Sequence, residues 1–118
     1  MQVPPASPAM PDLRHDTRVL HSVQDLRASD WDALLAEQSM ASPFMRHAYL
    51  AAMESSGSAT PGTGWTSRPL TLWTGERLDG ACVLYVKTHS YGEYVFDWAW
   101  ADAYRRHGLD YYPKAVIA

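Results

Sequence analysis

The chain has 118 residues, of which 47% are hydrophobic and 19% are charged. This length allows one domain at most. The composition contains enough apolar residues for a hydrophobic core, which excludes wholesale disorder. The formal net charge of -3 gives no overall basic field, so duplex nucleic acid and an anionic membrane surface are not expected as main partners.

The first 16 residues hold four of the eight prolines, which remove amide donors and disfavour regular pairing. We interpret residues 1–16 as a mobile leader and residues 17–118 as the domain. No segment has the basic start and apolar run of a signal peptide, or the ~18 apolar residues of a membrane span. Cys82 is the only cysteine, so its expected role is a small buried side chain. A cytoplasmic protein is the simplest inference.

The segment after the leader predicts a strand and then a helix. "TRVLHSV" from Thr17 is typical of a strand that turns Val19 toward the core. Ser29 offers an N-cap for a helix along "DWDALLAEQ", with Asp30 and Asp32 in its positive first turn. The apolar face of this helix combines i, i+3 and i+4 positions, namely Trp31, Leu34 and Leu35.

A second helix has clear sequence limits. In "SPFMRHAYLAAMESSG", Ser42 is the predicted N-cap, Pro43 takes the first helical position, and Gly57 ends the helix with a positive φ. Residues 55–67 are rich in Ser, Thr, Gly and Pro, which is typical of a solvated loop. Its Gly62-Thr63-Gly64 run is too short for a phosphate loop, and we expect no such role.

The second half predicts a hairpin, a helix and a further strand. "PLTLW" and "RLDGACVLYVKTH" are expected to pair across a turn at residues 74–76. Their predicted alternating or buried positions are Leu70, Leu72, Val83 and Tyr85. A helix is predicted over residues 97–108, capped by Asp97 and closed by Gly108, before a strand in "YYPKAVIA". This order predicts an α+β (α/β) fold with a mostly antiparallel sheet and flanking helices.

Residues 89–108, "HSYGEYVFDWAWADAYRRHG", crowd aromatic rings against carboxylates. Partial burial among rings would raise the pKa of Glu93 or Asp97, and a basic neighbour would lower it again, so both are candidates for acid-base chemistry. Trp98 and Trp100 are two residues apart on one helix and cannot both face the same core. One of them is therefore expected to meet a ligand, a partner or another domain.

A purely structural interpretation of this segment competes with the first. Here Asp97 only caps the helix, and Glu93 pairs with Lys87, Arg105 or Arg106. The core would then be filled by Tyr94, Phe96 and Trp100. The five histidines show no metal-binding spacing, and Cys82 has no cysteine partner, so no metal is expected. No Gly-x-Ser-x-Gly elbow supports a Ser/His/Asp triad.

The same segment, extended to "HSYGEYVFDWAWADAYRRHGLDYYPK", carries a resemblance together with "ASPFMRHAYLAAMESSGS", "GTGW" and "LYVK" upstream. From about Leu26 to Lys114 the chain resembles a bacterial family of FemAB-like proteins, often labelled GNAT-type N-acetyltransferase or peptidoglycan biosynthesis/recognition protein. The resemblance implies a GNAT-like fold and transfer of an acyl or aminoacyl group to an amine. It further implies acetyl-CoA, another acyl-CoA or aminoacyl-tRNA as donor, and a small-molecule or peptide amine as acceptor.

For a transferase of the kind that the resemblance implies, Glu93 or Asp97 would accept the amine's proton. The substrate would be bound by Tyr91, Tyr94 and Trp98. Trp100 and Tyr104 are expected to pack in the core. Family members are several times longer, so the chain is expected to be an N-terminal portion that is inactive and binds no cofactor alone. The alternative is a non-catalytic recognition or assembly module that uses residues 91–104 as an interface. An exposed sheet edge is expected to allow self-association.

Overall fold

The structure, a computed structural model, describes residues 2–5 and 14–118. Met1 and residues 6–13 of the predicted leader lie outside these ranges, so the leader stays a prediction. The described part forms three α-helices and two antiparallel three-stranded sheets, which confirms the α+β class. The strands are β1 (Asp16–Val19), β2 (Thr66–Ser67), β3 (Leu70–Thr74), β4 (Arg77–Cys82), β5 (Leu84–Lys87) and β6 (Lys114–Ile117). The helices are α1 (Ala28–Ala36), α2 (His47–Ser55) and α3 (Trp98–Arg106).

The first sheet has the order β1-β3-β4, and its β3-β4 hairpin confirms the predicted turn. Val19 is exposed, so its predicted core position is wrong, and Leu72, predicted as alternating or buried, is also exposed. Because Thr17 lies opposite Leu72 and Val19 lies opposite Leu70, these side chains share the outer face of the sheet. The inner face is anchored instead by Thr71, which is almost fully buried and donates a 2.8 Å hydrogen bond to the Arg18 carbonyl.

The second sheet has the order β2-β5-β6. The predicted strand "RLDGACVLYVKTH" is wrong as a single element, because β4 and β5 join different sheets on either side of Val83. The Val83 side chain is buried at this crossing, and its carbonyl accepts a 3.1 Å hydrogen bond from the Ala118 amide. Val83 and Tyr85 are both buried, as predicted.

The first two helices differ from the prediction at their starts. The predicted Ser29 cap is wrong, because α1 begins at Ala28, two residues before the predicted start at Asp30, and follows the extended Arg27. The predicted second helix is two pieces. Ser42 caps a short 3-10 helix at Pro43–Met45, and Arg46 is extended before α2 begins. Gly57 follows α2 with φ of 81°, as predicted.

The core lies between α1, α2 and the two sheets. It contains Val23, Leu26, Trp31, Leu50, Ala59, Leu78, Val83 and Tyr85. Trp31 also satisfies its indole N–H by donating a 2.8 Å hydrogen bond to the Met45 carbonyl, which ties α1 to the short helix before α2.

The third helix packs differently from the prediction. It starts after Asp97 and is followed by Gly108 with φ of 70°, as predicted, but the Asp97 side chain makes no capping hydrogen bond. No α3 residue is buried. Trp100 is 66% exposed and Tyr104 41% exposed, so their predicted core packing is wrong. Tyr104 instead contacts the Tyr111 ring edge-on at 5.0 Å.

Candidate functional site

Two lysines come together where β5 ends and β6 begins. Lys87 and Lys114 are direct partners in the antiparallel register, so their side chains lie on one face of the sheet. The Lys87 side chain is fully buried, and that of Lys114 is largely buried. Two cations in this position require anions, because an unpaired buried charge is strongly unfavourable.

Glu93 supplies the first anion and bridges both lysines. Its Oε2 accepts a 2.8 Å hydrogen bond from Lys114 Nζ, and Lys87 Nζ lies 2.9 Å from its Oε1. Both carboxylate oxygens of Glu93 are therefore paired with a lysine. The predicted Lys87 partner is found, whereas Arg106 pairs with Asp102 at 2.8 Å.

Asp97 supplies the second anion. Its carboxylate accepts a hydrogen bond from Lys114 Nζ and interacts with the Tyr111 hydroxyl. Its backbone N–H donates to the hydroxyl of buried Ser90 at 3.1 Å, which fixes the start of α3 against the loop. We call Lys87, Glu93, Asp97 and Lys114 the charged cluster.

The pKa values in the charged cluster favour the ionised forms. Burial raises the pKa of Glu93, but its contacts with Lys114 and Lys87 outweigh burial and hold it below the ordinary value. The hydrogen bond from Lys114 is the main cause of the lowered pKa of Asp97. Burial lowers the pKa of Lys114, but Asp97 and Glu93 more than compensate and raise it. The two carboxylates are therefore anionic at neutral pH and have low basicity.

The loop before α3 is shaped around Lys87. Lys87 Nζ donates a 2.7 Å hydrogen bond to the Tyr91 carbonyl and lies 3.6 Å from the centroid of the Trp65 ring. Gly92 has φ of 82°, and a Cβ there would lie 2.9 Å from Trp65 Nε1. Only glycine fits this turn, which brings Glu93 over the lysines.

An open groove of about 390 Å³ is lined in part by Trp65. Its wall is mainly apolar and aromatic and includes Phe44, Tyr49, Met53, Trp65 and Tyr85. Trp65 packs edge-on against Tyr85 at 5.3 Å between ring centroids. The Trp65 side chain therefore belongs both to the groove wall and to the surroundings of Lys87.

Aromatic side chains form a second group beside the charged cluster. We call Tyr91, Phe96 and Trp98 the aromatic cluster. The Phe96 and Trp98 rings are stacked at 5.2 Å with 9° between their planes, and the Tyr91 ring contacts them edge-on at 5.7 and 6.5 Å. The predicted substrate residues Tyr91 and Trp98 are thus brought together, whereas Tyr94 is fully exposed outside the aromatic cluster.

Three residues of the site were not found by sequence reasoning. Lys114, Tyr111 and Trp65 reach the site only through strand pairing and loop packing, which the sequence pattern does not reveal. The sequence did contain one indication of these residues, because they lie in segments that carry the family resemblance. Trp65 lies in "GTGW", and Tyr111 and Lys114 lie in "YYPK". The assigned roles of Glu93 and Asp97 stay predictions.

Residues 22–118 match the FemAB-like family, described as peptidoglycan biosynthesis/recognition. The chain belongs to this family, and its family role is peptidoglycan-related. No curated protein and no solved structure gives a significant match. Within residues 2–5 and 14–118, no helix is both long enough and apolar enough to cross a membrane. Across the same described ranges, no three His, Cys, Asp or Glu side chains are grouped so as to hold a metal ion.

Proposed function

We propose that the protein takes part in transferring an acyl or aminoacyl group to an amine of a peptidoglycan precursor, on a GNAT-like fold. The observation that supports this proposal is Glu93, a carboxylate held ionised between two lysines in the loop that also carries the exposed rings of Tyr91 and Phe96. An amine or ammonium N–H is the type of group that donates to an ionised carboxylate. Glu93 is therefore assigned to the amine.

The proposed reaction forms a bond between the amine nitrogen and the acyl carbon. The nitrogen becomes positively charged as this bond forms, so an adjacent anionic carboxylate stabilises it and accepts its proton. The bond from the acyl carbon to the donor's sulfur or oxygen then breaks, and the departing thiolate or alkoxide takes up a proton. Glu93 is the first proton acceptor in this scheme, and Asp97 keeps Lys114 in place beside it.

The donor in this proposal is acetyl-CoA, another acyl-CoA or aminoacyl-tRNA, acting with the complete protein. The acceptor is a small-molecule or peptide amine. Both kinds of donor are found in the cytoplasm, where we place the reaction. The family resemblance supports this choice of donors and acceptor. The described residues are proposed to act on the acceptor only, and none of them is assigned to the donor.

The test is acyl transfer to a lysine-containing peptidoglycan stem peptide, measured with acyl-CoA and with aminoacyl-tRNA as donors. We expect Glu93→Gln to lower kcat about 100-fold or more, because it removes the proton acceptor. Asp102→Asn is the matched control, since Asp102 forms an exposed ion pair with Arg106, and it should retain activity. Activity of Glu93→Gln equal to that of the control would overturn the proposal.

Loss of structure must be separated from loss of chemistry in this test. Glu93→Gln leaves buried Lys87 without its anion, which is destabilising. The double variant Lys87→Met/Glu93→Gln removes both charges and should recover the lost stability. A stable double variant without transferase activity would support the chemical role of Glu93.

A second candidate function is non-catalytic recognition, with residues 91–104 as the interface. The lowered pKa of both carboxylates favours it, because a weak base is poorly suited to proton abstraction. In this case Glu93→Gln would leave ligand affinity nearly unchanged, and no donor would be turned over. Isothermal titration with the stem peptide, run beside the transferase assay, distinguishes the two functions.

A further inference from the structure

The aromatic cluster is exposed although its rings pack on one another. Tyr91, Phe96 and Trp98 are between 46% and 60% exposed. The Tyr91 carbonyl accepts the hydrogen bond from buried Lys87, while its ring contacts Phe96 and Trp98. A single residue therefore joins the aromatic cluster to the charged cluster, and a ligand on the rings would lie beside the candidate amine site.

The stacked pair offers a broad, flat surface. Carbon atoms in contact lie about 3.5–4.0 Å apart, so a 5.2 Å separation between centroids at 9° means that the two rings are displaced sideways. Displaced parallel rings leave part of each face uncovered. The face of an aromatic ring is electron-rich and attracts partially positive C–H groups.

Polar groups lie at the rim of the same surface. The Tyr91 hydroxyl and the Trp98 indole N–H form no hydrogen bond with any residue in the described ranges. The neighbouring carboxylates are already neutralised by two lysines, so the surface favours a ligand that is apolar on one face and hydroxylated at its edges. A pyranose ring has this character.

We propose that the aromatic cluster binds a sugar ring of the peptidoglycan acceptor by stacking, while the attached peptide amine approaches Glu93. This assignment rests on the proposed function and adds the glycan to the substrate. The Phe96–Trp98 pair supplies the stacking surface, and the Tyr91 hydroxyl and Trp98 indole hydrogen-bond the sugar hydroxyls. The rings form a flat, neutral surface rather than a pocket for an inserted side chain, which favours a sugar over a protein partner.

The test compares two soluble ligands by isothermal titration and by NMR of the tryptophan indole signals. One is the disaccharide-pentapeptide unit of peptidoglycan, and the other is the pentapeptide alone. Trp98→Ala should weaken disaccharide-pentapeptide binding about tenfold or more and leave binding of the pentapeptide unchanged. Trp98→Phe, which keeps a flat ring, should recover part of the affinity.

Trp100→Ala is the matched control, because Trp100 is exposed on the same helix and outside the aromatic cluster. It should bind both ligands as the native chain does. Equal losses in Trp98→Ala and Trp100→Ala, or equal native affinities for the two ligands, would overturn the sugar site. Trp98-dependent self-association without sugar binding would also overturn it and identify a protein interface.

The outcomes separate this inference from the proposed function. Transfer to the pentapeptide alone depends on Glu93 in the proposed reaction and does not need the aromatic cluster. A Glu93→Gln variant with full transferase activity would refute the proposed reaction while leaving disaccharide binding intact. Equal affinities of the native chain for the disaccharide-pentapeptide and the pentapeptide, with normal transfer to the pentapeptide, would refute only the sugar site.

Discussion

At the residue scale, Glu93 connects parts of the chain that are far apart in sequence. It lies in the loop before α3 and contacts Lys87 of β5 and Lys114 of β6 through its two carboxylate oxygens. Lys114 in turn contacts Asp97 at the start of α3. Lysines and carboxylates alternate in the charged cluster. Burial alone would disfavour the charged form of each group, and the neighbouring opposite charge offsets this effect. This alternation makes the charged cluster sensitive to acid.

We predict that acid destabilises the protein through Glu93 and Asp97. Their folded-state pKa values lie below the ordinary values of 4.5 and 3.8, so the unfolded chain binds more protons as the pH falls through this range. Their stabilising contribution is complete above the ordinary values and is lost as the pH falls through the folded values. Urea unfolding between about pH 7 and pH 3 measures this decrease in the free energy of unfolding.

The same titration in Glu93→Gln/Asp97→Asn should show a smaller decrease, because the variant lacks both titrating groups. Asp102→Asn, which removes an exposed carboxylate, should follow the native protein. An unchanged acid slope in the double variant would show that other groups cause the acid sensitivity.

At the element scale, the sequence predicted the types of most elements but not where they break or what caps them. Ser42 and Pro43 were correctly assigned to a helix start, yet that helix is a separate 3-10 turn. The extended Arg46 interrupts it, and nothing in its helix-forming neighbours reveals the break. The crossing at Val83 was hidden for a similar reason, since apolar residues continue through it while the pairing partners change. Tertiary contacts decided both breaks.

The start of α2 gives a prediction at this scale. Asp32 of α1 accepts a 3.0 Å hydrogen bond from the His47 backbone N–H, so a carboxylate from another helix replaces a local cap. Asp32→Ala should lower the free energy of unfolding by about 1 kcal/mol, the typical value of a capping contact. Urea unfolding monitored by circular dichroism measures the loss.

Asp30→Ala is the matched control for this prediction. Asp30 lies in the same helix, and among the described residues its side chain forms only an ion pair with Arg27 at 3.4 Å, so its loss should cost about 0.5 kcal/mol or less. Equal effects of the two substitutions would mean that Asp32 acts through α1 and not through the start of α2.

At the scale of the whole molecule, the order of the predicted strands and helices indicated the α+β class, but the hydrophobic pattern misassigned which apolar residues are buried. Val19, Leu72 and Trp100 are exposed, while Thr71 and Lys87 are buried. Pattern methods place apolar side chains inside and polar side chains outside, so they fail where a sheet has an uncovered face or where a lysine is paired in the interior. The candidate carboxylates could be named from sequence, but their lysine partners depended on the β5-β6 pairing.

The edge of the second sheet leads to a prediction for the whole molecule. β6 pairs with β5 on one side and with no other strand in the described residues, and Ile117 on it is exposed. An open edge with apolar side chains favours pairing between chains. We expect concentration-dependent self-association in analytical ultracentrifugation, reduced by Ile117→Lys. Leu109→Lys, at an exposed apolar residue outside the sheet, should have no such effect.

The bridging position of Glu93 also has a consequence for motion. Release of β6 from β5 would remove Lys114 from both Glu93 and Asp97, so the loop of residues 88–97 would lose these two anchors in the same event and keep its contacts with Lys87. The loop and the strand therefore form one unit of local opening, with a free energy below that of global unfolding. Amide hydrogens of the two segments should exchange with a common opening free energy, and the candidate site exists only while this unit is closed.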